Sequence, residues 1–308
     1  MARPKKGNPI HGWLILDKPL GMTSTQAVAV IKQLYDAQKA GHAGTLDPLA
    51  TGILPIALGE ATKTCSYAVD GEKAYRFTVR WGAETNTDDA EGEVVKTSDQ
   101  RPTHAEVEGL LPRFTGEISQ VPPTFSAIKI IGERAYDLAR DGETPALEAR
   151  PVQIEELRIV EHPDENTTVF EAVCGKGTYV RALARDMGRA LGVYGHVTAL
   201  RRTQVGPFTE DVAVRLDDLR EVSKLAGAMD LLQPKLLPVE AVLESLVELN
   251  LSSADASRLR RGQGVLIRGR DAPIMSGAAY AISKGQLVAI GELAKGEFRP
   301  VRVFNFSS

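Results

Sequence analysis

Apolar positions change their period several times along the chain, and each change marks an element. Residues 12–16 read Gly-Trp-Leu-Ile-Leu, an apolar run closed by Asp17, Lys18 and Pro19, which predicts a short buried strand. Thr23 and Gln26 stand at capping-box spacing. Behind them Ala27, Val28, Ile31, Leu34 and Tyr35 recur at helical spacing, so a helix is expected to about Asp36. Residues 41–52 hold three glycines, Asp47 and Pro48 and predict a loop, and residues 53–58 turn extended again. From Ala74 to Trp81 the alternation is strict. Tyr75, Phe77, Val79 and Trp81 share one face, and Arg76, Thr78 and Arg80 share the other.

An acidic, turn-rich stretch follows at 84–92 and predicts an exposed hairpin or loop. Residues 120–150 mix a Pro-Pro break, a short helical stretch at 136–140 and a polar segment, which predicts a partly mobile loop. Residues 169–174 predict a strand. After the turn at Gly175-Lys176-Gly177, Thr178 is placed to cap a helix carrying Val180, Leu183, Ala184, Met187 and Leu191, stopped by Gly192. Arg181, Arg185 and Arg189 make a basic stripe on another side of it, and residues 197–205 predict a further strand. From about Ala241 the character shifts to a short helix at 253–260 and glycine-separated β segments. The expected organisation is two domains, residues 1–240 and a small β-rich unit at 241–308.

Composition narrows the function classes. At 43% hydrophobic and 25% charged residues the chain belongs with packed globular proteins. No apolar run is long enough to cross a bilayer, and the basic first seven residues lack the apolar core of a secretory signal, so a cytoplasmic location is expected. Cys65 and Cys174 are far apart, the five histidines are scattered, and nucleotide-binding glycine loops are missing; no metal and no cofactor are expected. The net charge is −3, but it is segregated. Six cations (Lys176, Arg181, Arg185, Arg189, Arg201, Arg202) face Asp186 alone at 176–202, a net +5; eight acids face two cations at 84–108, a net −6. This pattern suits a nucleic-acid-binding face on an acidic body, or two stretches of solvated surface.

The densest chemistry lies in Gly41-His42-Ala43-Gly44-Thr45-Leu46-Asp47-Pro48-Leu49-Ala50-Thr51-Gly52. Pro48 restricts Asp47 to extended backbone, which sets its carboxylate on a stiff platform. By itself an Asp-Pro pair starts a turn more often than it catalyses. The whole stretch, however, resembles the catalytic motif of the TruB family, the bacterial tRNA pseudouridine-55 synthases. Further motifs follow in the family's order: Leu16-Asp17-Lys18-Pro19 with Gly21-Met22-Thr23-Ser24, Ala74-Tyr75-Arg76, Gly175-Lys176-Gly177-Thr178-Tyr179-Val180-Arg181, and Leu200-Arg201-Arg202.

The resemblance implies an α+β pseudouridine synthase fold, a mainly antiparallel mixed sheet with flanking helices, and a cleft holding Asp47. It implies a thumb-like RNA-binding insertion at 120–150 and a PUA-like RNA-binding domain at 241–308, with Arg258, Arg260, Arg261, Arg268 and Arg270 near an acceptor stem. Asp47 is the implied nucleophile, Arg181 its guanidinium partner, and Tyr75 the ring that stacks on the uracil and whose hydroxyl moves a proton. Tyr179 and Leu200 are implied walls of the uracil pocket, and His42 fills the space that the flipped base vacates. Lys18 is suited to touch phosphate or to orient the loop near Asp47. The implied reaction converts a T-loop uridine of tRNA to pseudouridine without metal or cofactor, in a monomer needing no protein partner. Two other readings are an RNA-binding folding factor with incidental catalysis and a guide-RNA-dependent relative; the short basic head and the missing lysine-rich tail favour the stand-alone enzyme.

Overall fold

The alternating segment at 73–81 forms the centre of the structure, a computed structural model that describes residues 7–126, 129–130, 133–134, 147–267 and 276–306. In chain order the strands are β1 (Gly12–Lys18), β2 (Ala40–His42), β3 (Ala50–Leu58), β4 (Lys73–Trp81), β5 (Ala83–Thr85), β6 (Val94–Thr97) and β7 (Gly116–Gln120). Next come β8 (Lys129–Ile130), β9 (Glu133–Arg134), β10 (Arg150–Asp164), β11 (Thr167–Cys174), β12 (Gly195–Val205), β13 (Phe208–Thr209) and β14 (Val214–Arg215). The last five are β15 (Val247–Asn250), β16 (Val265–Leu266), β17 (Gly277–Ser283), β18 (Gln286–Ala294) and β19 (Glu297–Val303).

The main sheet has ten strands, in the order β14-β1-β3-β12-β4-β11-β10-β7, with β2 paired to β3 and β13 to β12. Antiparallel pairing dominates, as expected; β1 with β14 and β3 with β12 are parallel. The second sheet runs β15-β17-β18-β19-β16. The fold is thus a mixed α/β architecture with a central mixed sheet and a β-rich C-terminal part.

Burial follows the sequence pattern. Tyr75, Phe77, Val79 and Trp81 are buried against Val180, Leu183, Ala184 and Met187 of the helix Val180–Leu191. On the other side of the site the helix Ser24–Leu34 packs Ala27 and Ile31 on Leu14, Leu16, Leu54 and Ile56. Its start is a full capping box. The Thr23 side chain accepts from the Gln26 backbone N–H, and the Gln26 side chain accepts from Thr23 N–H at 2.9 Å. A third cluster joins the two sheets: Trp13, Ile53 and Phe208 meet Tyr280, Leu287, Ile290 and Phe304.

Four local expectations are corrected. The 41–52 loop is shorter than its glycines suggest, because β2 extends to His42 and β3 begins at Ala50. Thr178 does not cap its helix. Tyr179 is the N-cap residue, without a side-chain bond of its own, and the Thr178 hydroxyl donates to Gly175 O at 3.1 Å. The acidic stretch is a hairpin, one of the two forms expected, but it is exposed only in part. In this β5–β6 hairpin Glu84, Thr85, Asp88 and Asp89 are buried. The physical reason is the fourth correction: Arg181 and Arg185 of the basic helix stripe are buried and, with the exposed Arg189, pair with these acids. The helical stretch expected at 136–140 lies outside the described residues.

Candidate active site

Parallel pairing between β3 and β12 places the Asp47 loop. Ala50, Thr51 and Gly52 lie opposite Leu200, Arg201 and Arg202. At Gly52 φ is +95°, and a Cβ there would stand 2.2 Å from Arg202 O, so only glycine lets the two strands meet. Asp47 precedes β3 at this junction, over a cavity of about 260 Å³. Asp47, Tyr75, Tyr179, Arg181, Leu200 and Arg202 line it.

The loop is held from several directions. Ser24 Oγ donates to Leu46 O at 3.0 Å and accepts from Leu46 N–H at 2.9 Å. Gly21 N–H donates to Pro48 O at 2.8 Å. Arg202 reaches up from β12: Nη2 donates to Gly44 O at 3.1 Å, Nη1 to Thr45 O at 3.4 Å and Nε to Ile53 O at 2.8 Å. Lys18 is wholly buried. Its Nζ donates to Met22 O at 2.7 Å, Pro19 O at 3.0 Å and Pro48 O at 3.5 Å. Burial pushes the Lys18 amine down to about 8, against the pull of Asp47, with Arg202 adding to the depression. A side chain in that position ties the loop from beneath and is shut off from any RNA phosphate, which corrects the phosphate-contact alternative.

Arg181 carries the electrostatics. Its Nε stands 2.9 Å from Asp47 Oδ2. Nη1 donates to Thr87 O at 2.9 Å and stands 3.4 Å from Asp89 Oδ2; Nη2 donates to Phe125 O at 2.9 Å. The planar fork is thereby fixed on three sides, and the Asp47 carboxylate meets a guanidinium that cannot swing away. Asp47 itself is 39% exposed on its side chain, whereas Arg181 is 7% exposed, so the carboxylate projects into the cavity and the cation backs it.

Neighbouring arginines extend this layer. Arg185 Nη1 stands 2.9 Å from Asp88 Oδ2, Arg185 Nε 2.9 Å from Asp186 Oδ1, and Arg189 grips Glu84 with two bonds of 2.7 Å. Burial raises the Asp88 carboxyl to about 6 despite Arg185 and Arg181. On β12, Arg201 meets Asp17 at 2.9 Å and Glu210 at 2.6 Å. The +5 segment is therefore not plain solvated surface, and most of its charge is matched within the chain. Its arginines are engaged with acids or carbonyls of the chain itself, and its exposed members are Lys176, paired with Asp70, and Arg189, paired with Glu84. Net charge along sequence cannot show pairing across space.

The remaining expected residues fall as follows. Tyr75 sits on β4 directly opposite Arg202 of β12, and burial raises its phenol above the usual range while Arg202 opposes the shift. Tyr179 is half-buried in the wall, its hydroxyl likewise raised by burial. Its backbone is clamped by Gln120, whose Oε1 accepts from Tyr179 N–H at 2.8 Å and whose Nε2 donates to Tyr179 O at 3.1 Å. Leu200 lies beside Phe77 of β4 and closes one side. His42 is half-buried on β2 opposite Ile56 and is outside the cavity lining. Among the described residues no group of His, Cys, Asp and Glu is arranged to hold a metal ion.

Sequence reading missed the structural importance of Arg202 and Gln120. Arg202 was visible only as one of two adjacent arginines on a strand, and Gln120 only as the start of the mixed 120–150 stretch.

Comparison with known proteins agrees in kind. The sequence profile described as "TruB family pseudouridylate synthase (N terminal domain)" matches residues 32–180, and that described as "tRNA pseudouridylate synthase B C-terminal domain" matches 181–244. A protein of Rhodopseudomonas palustris named tRNA pseudouridine synthase B is 60% identical over 97% of this chain and 82% of its own. Its namesake from Agrobacterium fabrum is 57% identical over 98% of this chain and 97% of its own. Among solved structures, the Cbf5 chain of an archaeal box H/ACA sRNP Nop10–Cbf5 complex superposes with a TM-score of 0.73 at 26% identity, covering 100% of this chain and 93% of that one.

Proposed function

Since the chain belongs to the TruB family of pseudouridylate synthases, we propose that it isomerises a uridine in the T-loop of tRNA, position 55, to pseudouridine with Asp47 as nucleophile. The observation that carries this reading is the Asp47–Arg181 contact of 2.9 Å at the cavity. Its volume of about 260 Å³ lies below the usual range for drug-sized ligands and suits one planar base. A stacked uridine must therefore leave its neighbours and flip in, at a cost of a few kcal/mol.

In this reading C1′–N1 breaks, the uracil rotates, and C1′–C5 forms. Attack of Asp47 on C1′ and a glycal route both need a carboxylate at this place, backed by the Arg181 cation. Tyr75 stacks on the uracil, and its hydroxyl moves a proton. Tyr179 and Leu200 supply the walls, and His42 fills the vacated place in the T-loop. The chain acts as a cytoplasmic monomer with no metal, cofactor or protein partner. The thumb-like insertion at 120–150, much of which lies outside the described residues, folds over the T-loop. The β-rich unit at 241–308 is PUA-like and meets the acceptor stem through Arg258, Arg260 and Arg261, all exposed on or just after the helix Ser253–Arg260. Arg268 and Arg270 lie outside the described residues.

Identity of 55–60% to proteins named for tRNA, against 26% to the sRNP chain, supports the stand-alone reading over the guide-dependent one. The test is the purified chain alone on unmodified tRNA transcript. Stoichiometric pseudouridine at position 55 is expected. Absence of product, or product only with added guide RNA and proteins, refutes the reading.

A further inference from the structure

Arg202 is the least explained group at the site. It is 1% exposed, and its hydrogen bonds go to the carbonyls of Gly44, Thr45 and Ile53 rather than to a carboxylate. A buried guanidinium without an acid partner is costly and asks for a reason. Three of its five N–H groups are engaged by these carbonyls. The cross-strand register puts Tyr75 directly opposite, both side chains line the same cavity, and the guanidinium lies close enough to the Tyr75 hydroxyl to oppose the rise that burial causes.

Arginine has donors only, so at this contact the phenol oxygen is the acceptor. The phenol's own hydrogen is then excluded from the Arg202 side and turned toward the cavity that both residues line. The reaction proposed above gives this orientation a use. Uridine and pseudouridine are isomers: N1 gains a hydrogen and C5 loses one. Because the uracil rotates, C5 comes to occupy the place beside C1′ that N1 held. A single group fixed at that place meets both atoms in turn.

We propose that Arg202 is a positioning residue that fixes the Tyr75 oxygen as hydrogen-bond acceptor, so that one hydroxyl serves N1 first and C5 afterwards. As C1′–N1 breaks, the Tyr75 O–H gives its proton to N1, and the O–H pair stays on oxygen as phenolate beside Arg202. After C1′–C5 forms, the phenolate takes the proton from C5, and the C5–H pair restores the ring's double bond. Tyr75 ends as it began, and no external acid, base or reductant enters. Arg202 thus acts through Tyr75 and, by the same fork, holds the Gly44–Thr45 backbone leading to Asp47. This inference rests on the reading of Asp47 and Tyr75 given above.

The test compares wild type and Arg202→Lys in single turnover, with tRNA carrying hydrogen or deuterium at C5 of the target uridine. Lysine keeps the charge but not the fork. The wild-type rate is expected to be indifferent to deuterium. The variant is expected to bind tRNA normally, to turn over at least about tenfold more slowly, and to slow further with deuterium, because loss of the C5 proton has become limiting. A slower variant with no deuterium effect reduces Arg202 to a loop support and overturns the proposal, as does an unchanged rate. If Arg202→Lys does not fold, Tyr75→Phe removes only the hydroxyl. The Arg202 guanidinium ¹⁵N resonances should then shift and exchange hydrogen faster; unchanged resonances overturn the proposal. A wild-type chain that makes no pseudouridine refutes the functional reading instead, and the NMR result still decides the contact.

Discussion

Replacing Gly52 by alanine adds one methyl group where β3 and β12 approach most closely. The new Cβ would stand 2.2 Å from Arg202 O and 3.0 Å from Arg202 C and N, all backbone atoms that cannot rotate aside. Relief requires the strands to part by about 1 Å or more, since carbon atoms pack at about 3.5–4.0 Å. Two costs follow. Holding a non-glycine residue at φ +95° costs on the order of 1–3 kcal/mol. Parting the Ala50–Gly52 ladder weakens one or two hydrogen bonds, each about 1 kcal/mol net. The expected loss is about 2–5 kcal/mol, a large share of a typical stability of about 5–15 kcal/mol. The damage also reaches the site, because Arg202 and the Asp47 loop flank the moved strands. Urea unfolding at neutral pH gives the stability change, and single-turnover pseudouridine formation gives the catalytic one. Stability within about 0.5 kcal/mol of wild type together with an unchanged rate would refute the argument that this contact sets the Asp47 loop, since that is the ordinary range for an inert surface change.

Two further predictions concern charge. Lys18 is driven down from 10.5 to about 8 in the fold, so between these values the unfolded chain binds more protons and stability from this group rises with pH. The pH dependence of urea unfolding should lose that rising component in Lys18→Met; an identical slope in both proteins would show that Lys18 titrates normally. Arg189→Gln breaks the paired contact with Glu84 and should lower the melting temperature while leaving the salt dependence of tRNA affinity unchanged. A salt slope reduced by about one unit would instead mean that Arg189 meets a phosphate.

Much of the fold was legible because its signals are local. The capping box at Thr23 and Gln26, the alternation of Tyr75, Phe77, Val79 and Trp81, and the stop at Gly192, where φ is +73°, each depend on neighbours within a few residues. Arg181 beside Asp47 was legible only through the resemblance, since about 130 residues separate them in sequence. What escaped reading was set by long-range pairing. Glu84, Asp88 and Asp89 look solvated until the arginines of a distant helix turn toward them. Lys18 looks like a phosphate ligand until its amine is seen on three carbonyls. Sequence alone points to Pro48 as what stiffens the Asp47 loop. In the structure Ser24, Gly21, Lys18 and Arg202 supply ties from separate segments.

In the proposed reaction the Asp47 carboxylate, held against Arg181, performs the isomerisation. The most direct measurement is tRNA affinity and pseudouridine yield for purified Asp47→Asn, a change that keeps the side chain's shape and removes its charge. Wild-type-like binding of unmodified tRNA and no pseudouridine at position 55 are expected. Turnover close to that of wild type would contradict this role for Asp47.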